Sequence, residues 1–266
     1  MATIQAPVQA LRTETPVGVS TWRKLEWDSE QFGMPAARVE LLEASGSYAE
    51  ARGKKRELLA SVLEQCRKAG IRHLSARVDT GDFSTIHALE EGGFELIDGI
   101  QTFLLPLDGN RASAPVGTRM FEPRDLPQVL EIGRTAFIFD RFHADHVLSP
   151  SVADQVNESW TRNCCLGIAA DAVVVAEEGE RIASYVTCGT NREARRGFII
   201  LVATAEWARG RGAARRASSA ALDWFASEGM ESVEVGTQLR NIPAARLYES
   251  LGFRLTRTSF TFRKIL

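Results

Sequence analysis

The C-terminal third of the chain switches repeatedly between two hydrophobic periods. Gly197-Phe-Ile-Ile-Leu-Val-Ala-Thr204 is a continuous, branched apolar run and reads as a buried strand. From Ala213 to Ser227 the apolar positions Ala213, Ala217, Ala220, Ala221, Trp224 and Phe225 fall on one helical face. Between the two lies Trp207-Ala-Arg-Gly-Arg-Gly-Ala213, a glycine-rich turn. A further strand is predicted at Ser232–Val235, a short helix over Asn241–Leu251, a Gly252-Phe253 turn and a last strand around Ser259–Phe262. On the short helix Ala244, Leu247, Tyr248 and Leu251 share a face.

The same order is legible once before. A helix over Lys54–Ala69 leads to a strand at Leu74–Val78, a helical stretch Asp82–Glu91, a Gly93-Phe94 turn and a strand at Ile100–Phe103. The first copy has Ala51-Arg-Gly53 where the second has Gly210-Arg-Gly212, Leu89 for Tyr248, and Asp82 for Asn241. It keeps the packing pattern and has lost polar groups suited to chemistry. Between the copies, Met120–Leu148 reads as a strand and an amphipathic helix, with Asp125 a cap before Pro127 and Leu126, Val129, Leu130, Gly133 and Phe137 on the buried side. A helix through Trp160 follows, then strands at Leu166–Ala170, Val173–Glu177 and Ile182–Gly189. Hairpin-linked strands followed by helix-separated ones indicate an α/β protein with a mixed, mostly antiparallel twisted sheet and flanking helices.

Asp108-Gly-Asn-Arg-Ala-Ser-Ala-Pro-Val-Gly117 is polar and rich in small residues, so the domains are predicted as a flexible tail over 1–20, a first domain over 21–108, a linker over 109–117 and a second domain over 118–266. With 266 residues, 44% apolar and 25% charged, the chain is of ordinary globular composition. A net charge of −2 argues against nucleic acid or a membrane surface as partner. No apolar run approaches the ~20 residues that span a bilayer, and Met1–Gly18 has no basic start followed by an apolar stretch, so no secretory signal is expected. Cys66, Cys164, Cys165 and Cys188 show neither metal nor disulfide spacing, which fits reduced thiols in a cytoplasmic protein. His143 and His146 lack a third ligand nearby, so no metal site is expected.

The chemistry concentrates at the glycine turn. Gly210 and Gly212 permit backbone angles and close approaches that a Cβ blocks, and the free N–H groups opening the next helix suit an anion such as a phosphate. Arg209, Arg211, Arg215 and Arg216 supply charge beside it.

These residues resemble the GNAT superfamily of acyl-CoA-dependent N-acyltransferases, whose motif Gln/Arg-x-x-Gly-x-Gly/Ala follows a strand with a β-bulge. Here it reads Trp207-Ala-Arg-Gly-Arg-Gly212, with Trp207 at the position where Gln or Arg is usual. The later motif Asn-x-x-Ala…Tyr-x-x-x-Gly-Phe appears as Asn241, Ala244, Tyr248, Gly252 and Phe253. A wider likeness to bacterial TDP-fucosamine acetyltransferases runs through Leu25–Gly33, Ala136-Phe…Arg141-Phe-His143, Trp160 and Gly236–Asn241, although Leu247 stands where that group has Arg. Those enzymes also carry a degenerate first half. The resemblance implies the GNAT fold and acetyl-CoA as co-substrate, with no metal. Leu201, Val202 and Ala203 at the strand end, Arg209, Gly210, Arg211, Gly212 and Ala213 in the turn, and Asn241 and Leu247 on the later helix would hold the coenzyme. The acceptor would be the amine of a nucleotide-linked 4-amino-4,6-dideoxy sugar, as in polysaccharide biosynthesis. A strand-bearing C-terminus goes, by the same resemblance, with a homodimer.

The implied reaction is direct attack of a neutral amine on the thioester. Main-chain N–H near Val202 would receive the oxygen charge, and Tyr248 would protonate the departing thiolate. From reference values that transfer is uphill by roughly 2 kcal/mol. Tyr248 also reads as an ordinary packed aromatic. Asn241 suits both a helix cap and a contact to the pantetheine arm. Arg141, Phe142 and His143 are the candidate acceptor contacts, Arg141 to a diphosphate and Phe142 to a base or sugar; an amphipathic loop covering the core explains them equally. The base is open between Glu206 and a water relay. Two other functions fit the pattern: acetylation of a different amine (a protein N-terminus, an antibiotic or a small metabolite), and a non-catalytic coenzyme A-binding module.

Overall fold

The computed structural model describes residues 10–107 and 115–266. The elements run β1 (Leu11–Thr15), β2 (Gly18–Lys24), α1 (Glu26–Phe32), β3 (Ala36–Glu43), α2 (Tyr48–Lys68), β4 (His73–Asp79), α3 (Phe83–Glu91) and β5 (Glu95–Pro106). They continue with β6 (Thr118–Met120), α4 (Leu126–Ala136), α5 (Arg141–Ala144), α6 (Pro150–Cys165), β7 (Ala172–Glu178), β8 (Arg181–Asn191) and β9 (Arg196–Thr204). The last are α7 (Ala213–Ser227), β10 (Ser232–Gln238), α8 (Ile242–Ser250) and β11 (Arg254–Ile265). The order β3-α2-β4-α3-β5 recurs as β9-α7-β10-α8-β11, the repeated half read from the sequence. Among the described residues no helix is long and apolar enough to cross a membrane.

Two compact units result. One gathers the described part of Gln5–Ile100 with Ala144–Leu148 and Thr258–Leu266; the other gathers Gln101–His143 and Ser149–Arg257. In the first, the strand order is β1-β2-β3-β4-β11, with β3 and β4 parallel and the other pairs antiparallel. Its core gathers Trp22, Leu58, Leu59, Val62, Leu74, Leu89, Phe94 and Phe262. Buried Asp145 meets His73 Nε2 at 2.8 Å and accepts from Arg263 Nε at 2.9 Å. Burial alone would raise its carboxyl, but His73, the Val147 N–H and Arg263 hold it below the usual carboxylate range.

In the second unit the order is β5-β10-β9-β8-β7-β6, parallel between β10 and β9 and antiparallel through β9-β8-β7-β6. Its core joins Phe103, Val186, Ile199, Ala217, Ala221, Leu222, Phe225, Val233, Tyr248 and Phe253. The predicted helical face of α7 is buried at Ala213, Ala217, Ala220, Ala221 and Phe225. Gly197 is glycine for space: a Cβ there would stand 2.5 Å from the buried Phe225 ring. Gly197→Ala is therefore expected to destabilise by about 1–3 kcal/mol in urea unfolding. A change within about 0.5 kcal/mol, the range of ordinary surface substitutions, would contradict that packing.

Two expectations change. Leu11–Lys24, which overlaps the expected tail, forms the β1/β2 hairpin in the register Leu11↔Trp22, because alternation buries Ser20 and Trp22. Residues 1–9 and 109–114, the rest of that tail and most of the expected linker, lie outside the described residues. Leu166–Ala170, expected as a strand, is the C-cap of α6 instead: Gly167 has φ +73°, and the Ile168 N–H returns to the Asn163 carbonyl. Leu166 and Ile168 are exposed there, so their apolarity misled the period reading.

Candidate active site

The site begins where two parallel strands part. β9 and β10 pair from Arg196↔Ser232 to Ile199↔Val235 and no further. On the other side of β9, Cys188 pairs with Ile199 and Thr187 with Leu201, which leaves Ile200 as a bulge. The Leu201 N–H bonds the Thr187 hydroxyl at 3.0 Å. A bulge sharpens local twist, and past it residues 200–204 of β9 and 236–238 of β10 become opposite walls of a cavity of about 620 Å³. That volume suits a small organic ligand.

Strand alternation sets which amides face the cavity. The Ala205 N–H donates to the Ala183 carbonyl at 2.9 Å, and Ala203 pairs with Tyr185. Ala203 and Ala205 thus turn their amides to β8, and by period-two alternation Val202 and Thr204 turn theirs to the open edge. Leu201, Val202 and Ala203 all line the cavity.

The glycine turn closes the next side. Gly210 and Gly212 adopt φ +75° and +79°, with no atom within 4 Å of a built Cβ at either. Glycine is demanded here by backbone conformation, and the space around it is open. Gly212 stands at the N-cap of α7 with no side-chain cap. Among the described residues the N–H groups of Gly210, Gly212, Ala213, Ala214 and Arg215 have no acceptor; between them the Arg211 N–H bonds the Ala208 carbonyl at 3.4 Å, and in the helix the first amide bonded back is Arg216, to the Gly212 carbonyl. All five residues line the cavity, where the helix dipole adds positive potential. Arg209 and Arg215 line it too, and Arg215 is steadied by a 2.7 Å bond to the Ser250 hydroxyl. Arg216 pairs with Glu178 instead, and Arg211 is exposed outside the lining. Trp207, the departure from the family motif, stacks under Arg181 with the guanidinium 4.0 Å from its ring centre.

α2 is the counterpart of α7 in the first half, but it starts at Tyr48, so Ala51-Arg-Gly53, matched in the sequence to Gly210-Arg-Gly212, lies inside the helix, and the N-cap that corresponds to Gly212 is Ser47. There the Glu50 carboxylate accepts from the Ser47 N–H and hydroxyl, both at 2.8 Å. Lys55 reaches both Asp82 oxygens at 2.9 Å. An acid already stands at the helix start where α7 offers bare amides.

α8 supplies the rest of the coenzyme side. Asn241 accepts from the Ala244 N–H at 3.3 Å, as Asp82 accepts from the Thr85 N–H at 3.0 Å in the first half. Asn241, Ala244, Leu247 and Tyr248 line the cavity. Tyr248 is 4% exposed and packs between Phe103 and Phe253, with ring centres 5.9 and 5.8 Å away. Burial raises its phenol well above the ordinary tyrosine range. Its hydroxyl has no hydrogen-bond partner among the described residues.

The remaining wall is residues 136–142 with Asn157 and Trp160. Asp140 organises it. One oxygen accepts from the Phe142 and His143 N–H groups at 2.7 and 2.9 Å. The other meets His143 Nδ1 at 2.7 Å and accepts from Asn157 Nδ2 at 3.0 Å. The second ring nitrogen of His143 lies 3.1 Å from Asp154. His143 is thereby a brace for the loop, outside the cavity lining, and His146 is exposed. Phe142 is only 2% exposed, with the Arg141 guanidinium 4.4 Å over its ring, so no open face remains for a base to stack on. Arg141 lines the cavity. Glu206 is exposed and does not, and Phe137, expected in the core, lines it instead.

Of the residues singled out from the sequence, the structure brings Leu201, Val202, Ala203, Arg209, Gly210, Gly212, Ala213, Asn241, Leu247, Tyr248, Arg141 and Phe142 to one cavity and leaves out Arg211 and His143. The sequence reading missed Asp140, whose place before a short helix is a cap signal, and Arg240, whose role depends on a contact a hundred residues away. The four cysteines are unpaired, and burial pushes the Cys66, Cys164 and Cys165 thiols up to about 12.

Residues 138–253, which hold nearly all of this cavity, match the Acetyltransferase (GNAT) family. The chain carries a GNAT acetyltransferase domain. Over 132 residues it is 30% identical to the spore coat polysaccharide biosynthesis protein SpsD of Bacillus subtilis, a match covering half of this chain and 45% of that protein. It is also 24% identical over 191 residues to the dTDP-fucosamine acetyltransferase of Escherichia coli, covering 70% of this chain and 79% of the relative. Among solved structures, the tandem GNAT protein from the clavulanic acid biosynthesis pathway superposes with a TM-score of 0.60 over 94% of this chain and 79% of its own, at 17% identity. That likeness speaks to the fold, repeated half included.

Proposed function

We propose that the protein is an acetyl-CoA-dependent N-acetyltransferase whose acceptor is the amine of a nucleotide-linked 4-amino-4,6-dideoxy sugar. The observation that carries the reading is the five unpartnered amides of Gly210, Gly212, Ala213, Ala214 and Arg215, on residues that line the same cavity as Val202 and Tyr248. The relatives named for a dTDP-fucosamine acetyltransferase and for coat polysaccharide biosynthesis support a sugar acceptor.

Acetyl-CoA supplies the thioester carbonyl that the amine attacks. Those five amides with Arg209 and Arg215 bind the pyrophosphate, and Asn241 and Leu247 flank the pantetheine arm. The Val202 N–H donates to the carbonyl oxygen as it gains charge. Tyr248 donates its proton to the departing sulfur. Burial raises the phenol, but it also raises a thiol in the same cavity, so the transfer stays feasible. Asp140 is no base, since four donors already engage its oxygens. The amine's proton leaves through solvent, and a proton from solvent returns Tyr248 to its phenol form before the next turnover. The first half, with Glu50 at its helix start, binds no coenzyme in this reading.

The test is thiol release from acetyl-CoA against a panel of amines. dTDP- and UDP-linked 4-amino-4,6-dideoxy sugars are expected to exceed peptide N-termini and aminoglycosides in kcat/KM by at least about tenfold, ~1.4 kcal/mol in the barrier. A preference for peptides or aminoglycosides would reject the sugar acceptor, and no turnover with any amine would reject catalysis.

A further inference from the structure

Several arginines of the second unit are already paired. Arg134, Arg162, Arg192, Arg195, Arg196 and Arg216 each have a carboxylate partner within ion-pair distance. Among the described residues Arg209, Arg215 and Arg240 have none, and neither have Arg181, Arg211, Arg246 and Arg254, which lie outside the cavity lining; Arg209 and Arg215 line the cavity, and Arg240 adjoins it through Phe139 and Asp140. Arg209 and Arg215 stand at the α7 turn, where the coenzyme pyrophosphate is placed above. Arg240 stands elsewhere, in the connection between β10 and α8, where its Nη2 donates to the Phe139 and Asp140 carbonyls, each at 3.4 Å. Phe139, Asp140, Arg141, Gln238 and Asn241 all line the cavity, so this guanidinium sits at its rim on the acceptor side.

Two long bonds from one Nη leave most of a five-donor fork unused. Asp140, the carboxylate on this wall, cannot take the remaining donors, because His143, Asn157 and two main-chain amides already engage it. A cationic fork with unused donors and no counter-charge beside a ligand cavity suits a bidentate oxyanion. Its chain neighbours supply the other half of the recognition. Leu239 is exposed, and so is Ile138, next to the carbonyl-bearing Phe139. Apolar surface beside an anion site fits a ligand that joins a phosphate to a flat ring.

We propose that Arg240, with Arg141 on the facing loop, forms a second anion subsite that reads the diphosphate of the acceptor, with Ile138 and Leu239 against its nucleoside. This rests on the nucleotide-sugar reading above and deepens it. The nucleoside would lie on exposed aliphatic side chains and not on Phe142. The acceptor would then be recognised chiefly through its nucleotide, which stays attached throughout the reaction, with the amino sugar extended toward Val202 and Tyr248.

The experiment is calorimetric titration of dTDP and UDP into the full chain saturated with coenzyme A. Wild type is expected to bind one nucleoside diphosphate without releasing coenzyme A. Arg240→Ala should weaken that binding about 10- to 100-fold, the range of a charge-assisted bond. Arg240→Lys, which keeps the charge and loses the fork, should fall between the two. Arg192→Ala, whose side chain pairs with Glu228, should match wild type. Coenzyme A affinity in Arg240→Ala should equal that of wild type, which excludes a misfolded variant. In turnover, Arg240→Ala should lower the preference for the nucleotide-linked amine over the free amino sugar by the same factor. Binding of dTDP unchanged in Arg240→Ala, or dTDP that displaces coenzyme A, would overturn the subsite. Intact, Arg240-dependent dTDP binding without acetylation of either nucleotide sugar would instead overturn the sugar acceptor and leave the subsite standing.

Discussion

Tyr248→Phe should reduce kcat by about 10²–10⁴-fold, the usual contribution of a positioned general acid, while leaving the dissociation constant of acetyl-CoA within about twofold. The phenyl ring keeps the packing against Phe103 and Phe253, and the hydroxyl has no hydrogen-bond partner among the described residues to strand, so folding stability should barely change. The pH dependence sharpens the test. Because burial raises the phenol, its proton-bearing form persists as pH rises, and wild-type activity should not fall near the ordinary tyrosine pKa of ~10. The low-pH limb should follow the acceptor amine's own pKa, since Asp140 is engaged and Glu206 lies outside the cavity. A Phe variant with normal turnover would remove the role from Tyr248. A variant with both turnover and melting temperature collapsed would reduce it to a packing residue.

Arg215→Glu should abolish useful coenzyme binding while sparing the fold. The substitution copies into α7 the acid that the first half carries at the same helix position, where Glu50 bonds the Ser47 N–H. Position 215 is the third residue of α7, and its side chain is exposed. A glutamate there is favourable to the helix dipole and can reach the unpartnered Gly212 N–H, worth a few tenths to about 1 kcal/mol of stability. The same carboxylate would occupy amides meant for an anion and replace a lining cation by a negative charge. Acetyl-CoA affinity should drop at least about 100-fold, ~2.7 kcal/mol. Stability and affinity are thus expected to move in opposite directions. Unfolding in urea and acetyl-CoA titration on the same preparation measure both. If affinity survives, the turn is an ordinary strand–helix connection.

Much of this site was legible because its signals are local. Gly210 and Gly212 announce left-handed backbone, Asn241 announces a helix cap, and the apolar face of α7 follows a 3.6 period; none needs a distant partner. The two halves were recognisable for the same reason, since Asp82 and Asn241 cap equivalent helices and Phe94 and Phe253 are buried after equivalent glycines. What stayed hidden depends on register. The cavity exists because β9 and β10 stop pairing at Ile199 and Val235 and Ile200 bulges, and no pattern within either strand states where a partner ends. The pairing of Ser259–Ile265 with His73–Asp79 joins segments about 180 residues apart, again a contact without a local signal. Phe142 and His143 could not be decided from the sequence because an aromatic-basic loop reads alike whether its side chains face a ligand or brace the chain; Asp140 makes His143 a brace, while Phe142, though mostly buried, reaches the cavity lining. Leu166–Ala170 failed because Gly167 ends α6 in a left-handed cap while the apolar residues around it imitate a strand.

At the centre of the account is a row of oriented amides that grips a pyrophosphate. Calorimetry with coenzyme A beside pantetheine, which lacks the pyrophosphate, tests it most directly. Coenzyme A should bind one to one, and pantetheine at least about 100-fold more weakly. Equal affinity for both ligands, or no heat from coenzyme A up to millimolar concentration, would contradict it.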